Sequence, residues 1–353
     1  MRAVVYRGPN DLRIEQVPIP RIGREELLVR VAVCGVCPTD IKKIQTGSVP
    51  PPRIFGHETA GTVVRVGAAV TGVRVGDRVA LHHHVPCGTC HFCRHADFAQ
   101  CATYLQTGVT AGFEPAGGGY AEYVKVLPFC LPGVVRIPSR NTFEEGSLLE
   151  PVNTVLKAVR RLGLQRGDSV VVVGQGPIGL LFNRILTLSG QQVFGTDLLE
   201  GRRRLGINWG AVASFDGGDP NVTKRIQKRT SGRGADAVVL TVPQDGAFHG
   251  AFDLVRRGGR VLLFAHTLRG RQTPTDLAAV CVDEKTVLGS YSSDLSIQRE
   301  VARMVFSRRL DVRPLVTHRF SLEQTSEAIA LAASVTPEAL KVVVESGPRD
   351  MRG

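Results

Sequence analysis

No stretch of this 353-residue chain reaches the roughly 18 consecutive apolar residues of a membrane-spanning helix, so a membrane protein is not expected. The first residues, MRAVVYRGPNDLRIEQ, carry charges where a secretory signal needs an apolar core, and a cytoplasmic location is expected. Aromatic residues make up only 6% and do not interleave with basic ones as a single-strand nucleic-acid groove requires. The net charge of +12 is scattered, and its densest run is Arg202, Arg203 and Arg204. Nucleic acid is therefore not an expected partner. A basic surface attracting a phosphorylated cofactor or an anionic small molecule is the milder inference. Internal repeats and low-complexity segments are also missing. What remains, at 43% hydrophobic and 22% charged residues, is the composition of a soluble globular protein.

The length implies about two domains, since typical domains run to about 100 to 200 residues. The chain changes character near residue 150. Before it, short β-type runs such as ELLVRVAVCGV, AGTVVRVG and GDRVALHHHV are separated by Gly and Pro turns, which predicts an irregular β-rich domain. After it, the apolar runs SVVVVGQG, QQVFGTD, ADAVVLTV and GRVLLFAH alternate with helical stretches. That rhythm predicts an α/β domain with a doubly wound parallel sheet. The last residues, SGPRDMRG, read as a loose tail.

Four cysteines, Cys87, Cys90, Cys93 and Cys101, are spaced by two, two and seven residues in CGTCHFCRHADFAQC. Two-residue gaps let neighbouring thiolates converge on one tetrahedral ion, the pattern of a closed structural zinc site. Disulfides are the competing reading, and a reducing compartment favours metal. A second constellation lies upstream. Cys37 in CGVCPTDIKK and His57 and Glu58 in FGHETAG supply a thiolate, an imidazole and an optional carboxylate, the ligand types of an open catalytic zinc. Glu150 in LLEPVNT is a further carboxylate candidate, and Pro151 marks the break between the two regions.

In the second region, Val170 to Val173 lead into Gly174, Gly176, Pro177, Ile178 and Gly179, the sequence GQGPIG at the opening of a helix. The first glycine turns the chain, the second lets backbone approach a pyrophosphate, and the third lets helix pack on strand. The helix N-terminus adds free N–H groups and a positive dipole end. Asp197 ends the next strand 18 residues beyond Gly179, where a carboxylate can accept from the adenosine ribose hydroxyls and would repel a 2′-phosphate. NAD is expected. Arg202 and Arg203 keep NADP open, since arginine at this edge can accept that phosphate.

In order along the chain, C-x-T-D, G-H-E, the four cysteines, L-E-P and the glycine motif with its downstream Asp make the sequence resemble the zinc-dependent medium-chain alcohol and polyol dehydrogenases. The resemblance spans nearly the whole chain. It implies a chaperonin-10-like β-barrel domain of residues 1–153 and 290–353, with the cysteine lobe at 87–101, and an NAD(P)-binding Rossmann domain of residues 154–289. It implies two zinc ions per chain, a cytoplasmic homodimer or homotetramer, and a small alcohol as substrate. Cys37 and His57 would hold the catalytic zinc, with Glu58 and Glu150 competing for the next position. Asp40 would orient the His57 ring, and Thr39 would pass the alcohol proton toward the cofactor ribose. Zinc would ease loss of the hydroxyl proton so that a hydride can leave for the nicotinamide.

The chain also departs from the family pattern. Lys42 stands where a relay histidine is common, which leaves Lys42 or solvent as the exit for the proton. Sorbitol-type enzymes typically carry an aromatic-Arg-Tyr run where this chain has Tyr291, Ser292 and Ser293, which weakens a claim for sorbitol itself. Tyr291, Ala265 and His266 are still expected beside the cofactor. His82, His83 and His84 end a strand bordering the substrate pocket, and threonine dehydrogenases resemble this chain in carrying a histidine at His84. A polyol, a sugar or an amino alcohol such as threonine is the expected substrate. A zinc-independent reductase of the same fold, and a structural zinc protein with a vestigial nucleotide fold, are the rival readings.

Overall fold

The N-terminal region folds as strands where short runs rich in Val and other apolar residues are set off by Gly and Pro turns. β1 (Arg2–Gly8), β2 (Asp11–Gln16), β3 (Leu27–Gly35), β4 (Arg53–Ile54), β5 (Glu58–Val66), β6 (Arg78–Leu81), β7 (Tyr123–Val126) and β8 (Val135–Arg136) follow in order. The computed structural model describes residues 1–347 except 83, 106–116, 266, 268, 269 and 271. By contacts the chain divides into two units, Met1–Asn153 with Ser293–Gly353, and Thr154–Ser292.

In the second unit, β9 (Ser169–Val173), β10 (Gln192–Asp197), β11 (Ala213–Asp216), β12 (Ala235–Leu240), β13 (Val255–Leu263) and β14 (Thr286–Gly289) form a sheet in the order β11-β10-β9-β12-β13-β14. Every pairing in it is parallel. Val170, Val171 and Val172 are fully buried, as a central parallel strand covered on both faces requires. The strand order reverses between β9 and β12, the place where open α/β sheets leave a crevice for ligand. The sequence pattern accounts for four of these strands. The two it misses, β11 and β14, are four-residue edge strands with partly exposed residues, too short to show an apolar run. β13 also begins at Val255, four residues before the expected start.

The chain then returns to the first unit as β15 (Val316–Ser321) and β16 (Lys341–Glu345). β16 pairs antiparallel with β3, and the larger sheet of this unit reads β15-β16-β3-β5-β6-β8, with β7 also on β3. A smaller sheet runs β2-β1-β4. Between the sheets lies an apolar cluster that includes Val4, Tyr6, Ile44, Phe55, Tyr120 and Val344. Among the described residues no helix is long and apolar enough to cross a membrane.

Candidate active site

Cys37 sits at the mouth of the helix Pro38–Thr46 in extended backbone, with Pro38 opening the first turn. Proline suits that position, because its missing N–H would be unsatisfied there anyway. The same turn carries Asp40, which is buried. Across from it, His57 immediately precedes β5 and Glu58 begins it. One ligand atom each from Cys37, His57 and Glu58 lie within 4.8 Å of one another. Nδ1 of His57 is 3.1 Å from Asp40 Oδ1. With its proton on Nδ1, the ring keeps the Nε2 electron pair for a ligand. Burial works against both charges of this pair. In the absence of a metal the mutual attraction outweighs it, so that the Asp40 carboxyl falls below its usual range and His57, helped by Cys37, rises well above its own, and a metal ion taking Nε2 would displace that second proton.

Lys341 completes this cluster from the far end of the chain. Its Nζ lies 2.5 Å from the Glu58 carboxylate and donates at 2.9 Å to the carbonyl of Val36, the neighbour of Cys37. Lys341 is 5% exposed, and although burial lowers an ammonium pKa, Glu58 and Cys37 raise this one. Nothing in the local sequence announces this lysine, because the pairing comes from β16 lying beside β3. Glu150 is buried in the first turn of the helix Leu149–Leu162 but does not come within 4.8 Å of all three ligand atoms. Burial, with the nearby Glu58 charge adding and His57 opposing, pushes its carboxyl up to about 7. Thr39 and Lys42 are half-buried on the Pro38–Thr46 helix.

Buried polar rings line the same unit. The His84 ring stacks on Tyr104 at 4.6 Å, and the Tyr104 hydroxyl donates at 2.6 Å to the carbonyl of Ser293. His82 Nε2 lies 3.4 Å from the Ser293 hydroxyl. Burial pushes the His82 pKa down to about 4 and His84 well below its ordinary value. His83 and His266, both expected near the reaction, lie outside the described residues.

The four cysteines converge. Their sulfurs all lie within 4.8 Å of one another, with Cys87 to Cys93 at 3.9 Å and Cys90 to Cys93 at 3.5 Å. Four sulfurs at about 2.3 Å from a tetrahedral centre stand about 3.8 Å apart, whereas a disulfide needs about 2.05 Å. The sulfurs therefore have the spacing of metal ligands. None of the eight cysteines is paired in a disulfide. The thiols split: N–H and O–H donation from Thr89, with further N–H donation from Cys90, lowers Cys87 to about 5, whereas burial and the Cys90 thiol raise Cys93 to about 12.

In the second unit, Gly174 takes φ +92°, and a Cβ on Gly179 would fall 1.9 Å from the Gly174 carbonyl oxygen, so both positions require glycine. Gly176 precedes the helix Pro177–Leu188, which carries Pro177 and Ile178 in its first turn. Asp197 closes β10 with both carboxylate oxygens aimed at backbone: Gln175 N–H donates to one at 2.7 Å and Leu199 N–H to the other at 2.9 Å. Arg202 reaches toward the turn, its Nη1 being 3.7 Å from where a Gly176 Cβ would stand. Arg203 is committed elsewhere, donating to the carbonyls of Asp197 and Leu198 and pairing with Asp216 at 3.4 Å. Ala265 follows β13, its N–H donating to the Leu240 carbonyl at 3.1 Å, and Tyr291 is exposed.

Residues 23–138 match the family described as Alcohol dehydrogenase GroES-like domain, and residues 177–307 that described as Zinc-binding dehydrogenase. Sorbitol dehydrogenase of Bombyx mori is 30% identical over 97% of this chain and 97% of its own. D-xylulose reductase A of Aspergillus niger is 29% identical over 92% of this chain and 91% of its own. Among solved structures, a Sinorhizobium meliloti protein classed as a zinc-binding dehydrogenase and bound to NADP superposes with a TM-score of 0.88 at 27% identity, covering 98% of this chain and 99% of its own. Fold and site thus define a zinc-binding oxidoreductase built from a GroES-like and a Rossmann-type domain. The chain belongs to the zinc-dependent medium-chain alcohol and polyol dehydrogenase family and is an NAD(P)-dependent alcohol dehydrogenase.

Proposed function

We propose that this enzyme oxidises a secondary alcohol of a polyol or sugar with NAD, using one zinc at Cys37, His57 and a carboxylate and a second at Cys87, Cys90, Cys93 and Cys101. The observation that carries the reading is the convergence of Cys37, His57 and Glu58 within 4.8 Å, with Asp40 behind the imidazole. Glu58 is the better candidate for the carboxylate because it belongs to that group and Glu150 does not. Sorbitol dehydrogenase and xylulose reductase among the relatives support the polyol class.

When bound, zinc supplies Lewis acidity that eases ionisation of a hydroxyl, and the nicotinamide supplies the hydride acceptor. The residues do the rest. Asp40 fixes the tautomer and orientation of His57. Lys341 balances the charge of Glu58, and Thr39 offers a hydroxyl at the start of the proton path. Glu150 adds a second buried carboxyl whose pKa burial raises, beside the charges of Glu58 and His57. Asp197 favours NAD through the ribose hydroxyls, and Arg202 is the residue that could accept a 2′-phosphate. A second reading, a threonine-type amino-alcohol substrate, draws on the buried His84 stacked on Tyr104. Family resemblance alone supports a cytoplasmic dimer or tetramer.

The test counts zinc per chain while polyols, sugars, threonine and simple secondary alcohols are screened for NAD reduction. Two zinc ions and turnover on vicinal diols are expected. A preference for threonine would move the enzyme to the amino-alcohol branch, and no turnover on any alcohol after zinc is restored would overturn the proposal.

A further inference from the structure

Gln175, the variable residue after the first glycine of GQGPIG, points away from solvent. It is fully buried beneath the turn, and so is Asn183 one helix face further on. Gln175 Nε2 donates to the carbonyls of Val172 at 2.8 Å and Gly174 at 3.3 Å. Its Oε1 accepts from Asn183 Nδ2 at 2.6 Å, and the same Nδ2 reaches the Gly206 carbonyl at 3.2 Å. Two side-chain amides thereby tie together the end of β9, the glycine turn, the helix Pro177–Leu188 and the helix Glu200–Asn208. The backbone of Gln175 continues the chain of contacts outward, since its N–H donates to Asp197.

The surrounding sequence makes room for this device. A Cβ at Gly206 would come within 2.4 Å of Gln175 Oε1, and one at Gly195 within 2.8 Å of Gln175 Cδ. Gly206 has no positive φ and sits inside a helix, where glycine is the less stable choice against alanine. Its backbone gives no reason for glycine. The neighbouring amide does.

We propose that Gln175 is a positioning residue: with Asn183 it forms a buried latch, housed by Gly206 and Gly195, that holds the phosphate-binding turn and the Asp197 carboxylate in one arrangement and so sets the preference between NAD and NADP. Swinging Asp197 aside to admit a 2′-phosphate would break two backbone hydrogen bonds, one of them to Gln175 itself. The latch rests on the reading of GQGPIG as the dinucleotide site.

The experiment titrates zinc-loaded full-length enzyme with NADH and with NADPH by fluorescence, comparing wild type, Gln175→Ala, Asn183→Leu, Gly206→Ala and the Gln175→Ala/Gly206→Ala pair. Gln175→Ala is expected to weaken NADH by about tenfold, the scale of one net hydrogen bond. It should weaken NADPH less, so that the ratio of the two constants falls. Gly206→Ala alone should disturb binding in the same direction. In the Gln175→Ala background the added methyl enters vacated space, and Gly206→Ala should then raise the melting temperature rather than lower it. A wild type that binds neither nucleotide would overturn the dinucleotide reading itself. If it binds both and the ratio stays constant across the variants, or if Gly206→Ala acts the same with and without Gln175, the latch is wrong. Should Asn183→Leu fail to fold, the Gly206 comparison decides alone.

Discussion

Lys341 and Glu58 are 283 residues apart in sequence and form a buried ion pair at 2.5 Å. A pair taken out of water contributes little net stability when intact, but removing one partner strands a charge. Lys341→Met should therefore destabilise the protein by about 3–5 kcal/mol, measured by urea unfolding of the metal-free enzyme. Adding Glu58→Gln should recover much of that loss. If the double variant were as unstable as the single one, the lysine would act by packing rather than charge.

Asp40→Asn keeps the size of the side chain but removes the charge that holds Nδ1 of His57. Zinc affinity or activity should fall about 10- to 100-fold, on the scale of other groups that orient metal-bound histidines. Chelator competition reads the affinity directly, and an unchanged value would free Asp40 from this role.

The two cysteine variants should separate. Cys37→Ser should abolish turnover while the fold and the zinc of the cysteine lobe remain. Cys93→Ser should remove that lobe's metal and chiefly lower stability, because the lobe has only a small apolar cluster of Cys93, Ala99, Cys101 and Tyr104 with Cys90 and Phe98 against it. Metal analysis and thermal melts of both variants check this, and a stable, zinc-replete Cys93→Ser would contradict it.

Asp197→Ala should weaken NAD more than NADP, since only the unphosphorylated ribose offers the carboxylate two hydroxyls. Equal losses in KM for the two cofactors would remove the argument for NAD.

His82 protonates near 6.5 in an unfolded chain but only near 4 when buried. Its pKa is depressed by folding, so its contribution is complete above pH 6.5 and is lost as pH falls toward 4, by about 3 kcal/mol at most. His82→Asn should flatten the acid limb of stability over that window in urea melts. A limb of the same slope would place the acid sensitivity on other groups.

Much of this was readable in the chain, and the reasons are specific. The four cysteines and the glycines of GQGPIG each fall inside a short window, so their spacing shows in the sequence. The central strands β9, β10 and β12 show as apolar runs because both faces are covered. β11 and β14 do not, since an edge strand such as ASFD needs no continuous apolar face. Cys37, His57 and Glu58 were recognisable as residue types, but their grouping with Lys341 depends on β16 pairing with β3, which no periodicity encodes. Gln175 occupied a position the fingerprint leaves open, and only the missing side chains at Gly195 and Gly206 reveal what it does.

The unit that carries Cys37, His57 and Glu58 is assembled from both ends of the chain, and this imposes an order on its birth. At about 5–20 residues per second, the ribosome delivers Lys341 roughly a quarter of a minute to a minute after Glu58. In that interval β3 lacks the neighbour that β16 provides, and the Glu58 carboxylate lacks its counter-charge. The nucleotide-binding half, whose strands all lie between residues 169 and 289, has no such wait. Translation therefore completes the strands of the cofactor half before the other half receives β16, the last of its described strands.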